Sequence, residues 1–515
     1  MDDQSKGLRF IPVILLLSAL SPYVFLHRKT SHMKPLTLLP FVALVVACTG
    51  AGIAPDSNAP IAPEAPFVFE YQAIPGIAIE GEPITAASMT EYADEYAVPA
   101  ASMAVFKDGV MVHQEFKGDG VGPDSVFQAA SFAKAIASAT IATLAMREGI
   151  SLDEDVAKYI TSFDLTSLEG YEAPVTLRQL LSHTSGADVE GFQGYSQSEE
   201  LPTNLEVILG SEKSNTKRVA FSIPVGKWHY SGGGYQIAQA FAEDVSGVPF
   251  GQLAQDLVLD PVGMTRSRMT QSFDVSAEPM ITPVTGVEHA GPVEGGWHNY
   301  PEVATSGLWT TAEDYGTFLI AIMSAANGEP DAGIHPDVAK EMLTIAGNPN
   351  PVRGYGLGFG ILPNEDGSVQ SFEHHGKNVG YTGSFSAFPK ERALSVVLTN
   401  HPNGLFLAAE SNRGFGRTLG YNDPMAKTIT RAPFSDELRD RCLGSYSLAE
   451  TPDEPVFLKE EDGSLSFEND TAEYPIVHVG EGAFLHLGTN TPFQCAMSDG
   501  GVTLSLGSST LYLKK

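Results

Sequence analysis

A hydroxyl and an amine stand three residues apart in Ser131-Phe132-Ala133-Lys134, a spacing that brings both side chains to one face of a helix. A serine hydroxyl is a poor nucleophile until a neighbouring base takes its proton. A lysine becomes such a base when burial lowers its pKa toward neutrality. The surrounding stretch, Phe127 to Arg147, is rich in Ala and apolar on most sides, and an amine there is costly unless it is paired or functional. Helix N-terminal N–H groups would face the negative charge that develops when the serine attacks a carbonyl. Alone, Ser-x-x-Lys is a common surface pair; on a buried helix it points to an acyl-transfer nucleophile, Ser131, with Lys134 as its base.

Other chemistries are poorly supplied. The chain has no Cys-x-x-Cys or His-Glu-x-x-His spacing, so neither metal nor cofactor is expected. It also lacks a Gly-x-Ser-x-Gly pentapeptide, which argues against the nucleophile elbow of an α/β-hydrolase. With 62 acidic against 31 basic residues, a net charge of -31 repels phosphate backbones and excludes nucleic acid as a partner.

The elements that must position the pair can be read from periodicity. Ser102 to Phe106 and Val110 to Phe116 flank Lys107-Asp108-Gly109, a hairpin pattern. Phe127 to Arg147 reads as a helix buried on every side, closed by Gly149. Thr176 and Gln179 form a capping box before the Leu177, Leu180 and Leu181 stripe. Ile237, Phe241 and Val245 mark a helix from Tyr235 to Val245, and strands follow at Ser384 to Phe388 and Ala393 to Leu398. After about Phe434 the pattern turns to short β-type runs with Gly-containing turns, implying a small all-β domain. It could serve as a lid, a dimer contact or a ligand-binding piece.

Longer stretches carry a resemblance. FQAASFAKAIASATIATLAMREGISLDEDVAKYI (127–160) resembles the active-serine helix of the family containing class C β-lactamases, D-alanyl-D-alanine carboxypeptidases and related esterases. VTLRQLLSHTSG (175–186), WHYSGGGY (228–235), GLWTTAED (307–314) and FEHHGKNVGYTGSF (372–385) resemble further segments in the same order, so the likeness covers roughly 90 to 430. It implies an α/β (α+β) fold, a β-lactamase/transpeptidase-like antiparallel sheet flanked by helices, with a helical subdomain.

Carried over by residue, the resemblance implies that Tyr230 relays protons and that His374 is catalytic, in the place where many relatives have lysine. The backbone N–H groups of Ser131 and Lys377 would form an oxyanion hole. Ser231, Gly232, His375 and Gly376 would line the substrate. His183 falls on a turn and reads as structural. One departure is that Tyr230-Ser231-Gly232 replaces the family's Tyr-x-Asn, removing a side-chain amide that would hold an amide of the substrate. The expected substrates are small molecules or peptides with an ester or amide carbonyl, processed in the manner of a carboxypeptidase, D-aminopeptidase or esterase. A true β-lactamase and a non-catalytic module that binds peptidoglycan fragments are the alternatives.

At the N-terminus, Met33-Lys34 precedes the apolar run Leu36 to Ala47 and Cys48, a pattern resembling a lipoprotein signal, with Met33 as the expected start and Cys48 as the lipidated residue. A second apolar stretch, Phe10 to Leu26, lies upstream. The expected organisation is a signal region (1–48), an Ala/Pro-rich tether (49–85), the hydrolase domain (86–433) and the C-terminal β domain (434–515). The expected location is the bacterial cell envelope, periplasmic, held to the outer membrane by its lipid. Cys442 and Cys495 are candidates for one disulfide in that oxidising compartment.

Overall fold

Alternating apolar residues around a tight turn pair Ala101–Lys107 (β1) with Val110–Lys117 (β2), and Asp108 and Gly109 both take positive φ in the turn, 55° and 80°. The two strands end an eight-stranded antiparallel sheet whose other members come from far downstream. These are β3 (Gly347–Asn350), β4 (Arg353–Tyr355), β5 (Gly360–Pro363), β6 (Val369–Asn378), β7 (Tyr381–Phe388) and β8 (Ala393–Thr399), in the spatial order β3-β4-β5-β6-β7-β8-β1-β2. The computed structural model describes residues 77–81, 88–421, 427–447, 455–461, 463–468, 473–486, 492–498, 501–506 and 510–514. The signal region, Cys48 and most of the expected tether lie outside them.

Around the sheet stand helices α1 (Met89–Glu95), α2 (Ala133–Arg147), α3 (Gly232–Ser246), α4 (Val303–Ser306), α5 (Ala312–Ala326) and α6 (Gly404–Thr418). The period of two in the strands divides them into two cores. Ala104, Phe106, Phe385, Leu394, Val396 and Leu398 join α2, α3 and α5 on one face. Met103, Val105, Ala393 and Val397 meet Met89 of α1 and Leu407 and Phe415 of α6 on the other.

The helix read from Phe127 begins later. Phe127 and Gln128 finish the strand Ser125–Gln128, paired with Leu308–Thr310, and Ala130 turns the chain at φ 50°. A single 3₁₀ turn, Ala130–Phe132, then leads into α2, so Ser131 stands in the turn and Lys134 in the helix. From Ala133 to Ala145 every residue of α2 is buried, and its alanines let α3 and α4 approach closely. The Thr176 and Gln179 capping box is formed in both directions. The expected Tyr235 helix starts earlier, at Gly232, because Ser231 caps it.

The tether reading is too long at its C-terminal end. Ile77–Ile79 pairs in parallel with Lys427–Ile429. Two β-branched residues, Ile77 and Ile79, support a strand where Ala/Pro composition alone suggested none.

Beyond the helix Asp436–Cys442, eight strands from Gly444–Ser447 to Thr510–Lys514 close into a barrel. Tyr446, Leu458, Phe467, Phe484, Phe493 and Leu504 are buried together in it. A disulfide joins Cys442 at the end of the leading helix to Cys495 in a barrel strand, with 5.9 Å between Cα atoms. Closing a chain segment of 53 residues removes much unfolded-state freedom. Replacing both cysteines with serine should therefore destabilise the barrel by roughly 2–4 kcal/mol. Scanning calorimetry should show this as a lowered barrel transition, and an unshifted transition would contradict it.

Candidate active site

The chain that places Ser131 is pinned on both sides. Ala129 donates its N–H to the Leu308 carbonyl at 2.9 Å. From the other side β6 presses in: a Cβ at Gly376 would lie 2.4 Å from the Ala129 carbonyl oxygen, so only glycine permits the approach. Leaving Ala130 in a left-handed turn between these contacts lifts Ser131 out of the apolar core, where it stays partly exposed.

Lys134 is 1% exposed, and its Nζ donates to Ser131 Oγ at 3.1 Å and to the Thr305 carbonyl at 3.4 Å. The remaining surroundings are aromatic, with Nζ 4.9 Å from the Tyr230 ring centre and 5.7 Å from that of Tyr235. Burial lowers its pKa from 10.5 to about 7. The Ser131 hydroxyl is also a hydrogen-bond partner of the Tyr230 phenol, whose pKa burial pushes well above its usual value. The site thus holds an amine whose neutral form is well populated at pH 7 and a phenol that keeps its proton, both meeting one serine oxygen. This pair of opposed shifts suits proton removal by one group and proton delivery by the other.

Tyr230 is fixed from behind by His183, which a positive φ of 63° turns into the core, as the turn reading expected. His183 Nδ1 accepts from the Ser231 N–H at 3.0 Å, and its ring lies 4.3 Å from that of Tyr230 and 4.8 Å from that of Tyr355. It is fully buried, and burial beside Lys134 holds its pKa well below the ordinary value. It is a neutral prop for the tyrosine.

His374 differs from the catalytic part that the resemblance implied. Its Nδ1 lies 2.6 Å from the His375 carbonyl, which can only accept, so the proton sits there. Its Nε2 is then left to accept from the Tyr355 hydroxyl at 3.0 Å. Burial, reinforced by Lys134, lowers its pKa to about 3. A second cation beside the amine is thereby avoided, and His374 contacts Tyr355 and its own strand. Tyr355 was not singled out in the sequence, since a lone aromatic in a short strand carries no distinguishing signal. The Thr305 carbonyl is a main-chain group that residue types cannot reveal.

The four residues expected to line the substrate separate. Ser231 is buried, with its hydroxyl accepting from Gly234 N–H at 3.0 Å and donating to the Val189 carbonyl at 3.2 Å, so it caps α3. Gly232 follows it at the helix start, and Gly376 is the close-packing glycine described above. His375 is exposed and, by alternation along β6, lies on the face away from α2 with Lys377. The Lys377 main chain is better placed. β6 and β7 join through Val379-Gly380, with Asn378 opposite Tyr381. The pair closing a two-residue turn exchanges hydrogen bonds and the next pair does not, so the Lys377 N–H points off the other edge of β6. β5 pairs with β6 only as far as Glu373, which leaves that edge open beside the Ser131 turn.

A family model described as Beta-lactamase matches residues 85–414. Penicillin-binding protein 4 of Amycolatopsis lactamdurans is 25% identical over 329 residues, 59% of this chain and 82% of that protein. Putative penicillin-binding protein PbpX of Bacillus subtilis is 22% identical over 291 residues, 56% of this chain; the match spans 66% of that protein, just under two thirds of its length. Esterase EstB of Burkholderia gladioli is 29% identical over 163 residues, 30% of this chain and 40% of that protein. Among solved structures, the octameric penicillin-binding protein homologue from Pyrococcus abyssi superposes with a TM-score of 0.55 at 23% identity, covering 82% of this chain and 97% of that one. That likeness is one of fold.

For Lys134 to take the Ser131 proton it must be neutral, and the amine becomes protonated as pH falls through about 7. The acylation rate should therefore drop about tenfold per pH unit below that point. Stopped-flow acylation across pH 5 to 9 checks this; a flat profile over the range would show that the amine is not the base.

Proposed function

The chain belongs to the beta-lactamase family, a family of hydrolases, and from its site we propose that it cleaves an ester or amide carbonyl through an acyl-enzyme on Ser131. Ser131 Oγ attacks the carbonyl carbon while its proton passes to Lys134 Nζ. The N–H groups of Ser131 and Lys377 receive the oxyanion. As the intermediate collapses, the bond to the leaving group breaks and Tyr230 gives its proton to the departing oxygen or nitrogen while taking up the one held by Lys134, so that the phenol and the neutral amine are both restored. Water then repeats the sequence on the acyl-enzyme and frees Ser131.

The observation that carries this reading is the Lys134 amine, buried among apolar groups and 3.1 Å from a partly exposed serine oxygen. A purely structural lysine would be expected to carry a carboxylate partner, and the polar partners of this one are a hydroxyl and a carbonyl. Simple esters and D-amino-acid peptides are favoured over β-lactams, since Gly232 offers no amide to the substrate. Intact-mass spectrometry with an activated acyl reagent or a penicillin should show a single adduct that is absent in Ser131→Ala. An adduct retained in that variant would overturn the assignment, and a serine that no reagent labels would favour a binding module.

We further propose export through the N-terminal signal and lipidation of Cys48, supported by the apolar run that ends at that cysteine. Labelled palmitate should enter the protein in bacterial cells and be lost in Cys48→Ala. Incorporation that survives the substitution would sink the proposal.

A further inference from the structure

Ser231 has an extended backbone, φ -141° and ψ 111°. In an extended segment residues two apart share a side, so position 232 faces the same way as the Tyr230 phenol. A side chain there would project beside the nucleophile, but the residue is glycine. The space is not empty: a Cβ on Gly232 would lie 2.8 Å from Cε2 of Phe192, 3.1 Å from the Glu190 carbonyl oxygen and 3.2 Å from Cγ2 of Thr305. Thr305 is the residue whose carbonyl accepts from Lys134. The Phe192 ring edge and the Thr305 methyl therefore flank the place that a side chain at position 232 would take.

Phe192 is held there and is only partly buried. Its loop is tied to α3 by Gly232 N–H to the Glu190 carbonyl, 3.0 Å, and by Gly233 N–H to the Val189 carbonyl, 2.9 Å. On the far side, Gly194 packs so closely on the Tyr300 ring that a Cβ would come within 2.5 Å. Asn215 Nδ2 donates to the Gly194 carbonyl at 2.8 Å. An aromatic ring anchored on both flanks gives a preorganised apolar surface.

We infer that Phe192 is the specificity-determining wall of the acyl site, and that the substrate is an ester or amide whose acyl group is a plain alkyl or aryl chain rather than an acylamino group. The inference rests on Ser131 being the acylated residue. An apolar wall rewards each added methylene of the acyl chain and offers no partner to an amide, which would lose its water without replacement.

The test is kcat/KM for p-nitrophenyl acetate, butyrate and octanoate, and for a chromogenic cephalosporin, in the wild type, Phe192→Ala and Phe192→Leu. In the wild type, octanoate should exceed acetate and the cephalosporin should be the poorest. The octanoate-to-acetate ratio should fall about tenfold in Phe192→Ala and recover in Phe192→Leu, whose side chain restores apolar contact. A second variant, Phe192→Ala combined with Gly232→Asn, makes room for the missing amide and should acylate faster with the cephalosporin. An unchanged chain-length ratio in Phe192→Ala, with Ser131 still labelled, would overturn the role of Phe192 and leave the hydrolase reading standing. No ester turnover together with no label on Ser131 would remove both.

Discussion

Everything at the site depends on keeping an amine uncharged inside an apolar helix. Lys134 has its pKa lowered from 10.5 to about 7 by burial, a preference for the neutral form of roughly 5 kcal/mol. The unfolded chain binds this proton below pH 10.5, whereas the folded chain does so only below about 7. Stability is therefore lost progressively as pH falls between those values, and the full cost is present at neutrality. The fold carries that cost through its large core, and a base ready at working pH is the return.

The neighbours make sense as consequences of that constraint. His183 and His374 are both buried near the amine, and both are held neutral, each with Lys134 among the causes. A charged imidazole at either place would push the amine pKa lower still and lose its own hydration. Their work is mechanical: His183 takes the Ser231 N–H and backs Tyr230, while His374 receives the Tyr355 hydroxyl. Burial moves the Tyr230 pKa away from neutrality, so the phenol stays protonated beside the amine, as the proposed acid role requires.

Much of this was legible in the chain. Ser131, Lys134 and Tyr230 converge as their spacing and the family likeness implied, and the β1-β2 hairpin, the Thr176 capping box and the β7-β8 pair follow from local chemistry. What stayed hidden has physical causes. The helix start was misplaced because φ at Ala130 is set by contacts with Leu308 and Gly376, remote in sequence. Ser231 and His375 looked available because residue type does not reveal a cap or which face of a strand is presented. Tyr355 and the Thr305 carbonyl enter the site from segments more than 150 residues after Ser131, without a motif of their own.

The sheet explains how such distant segments can be held to the accuracy that catalysis needs. β6 must hydrogen-bond to β7 along one edge and still offer an open edge to the nucleophile turn, and it does so because β5, starting at Gly360, pairs with it only as far as Glu373. Gly376 then sets the distance, since any side chain would drive strand and turn apart. The described ring contact between the barrel and this body, Phe406 of α6 against His486 at 5.3 Å, lies on the sheet face opposite α2. α6 packs on that face against β7 and β8. β7 in turn is hydrogen-bonded along its length to β6, so the barrel contact and the glycine that sets the nucleophile turn are joined through adjacent strands of one sheet.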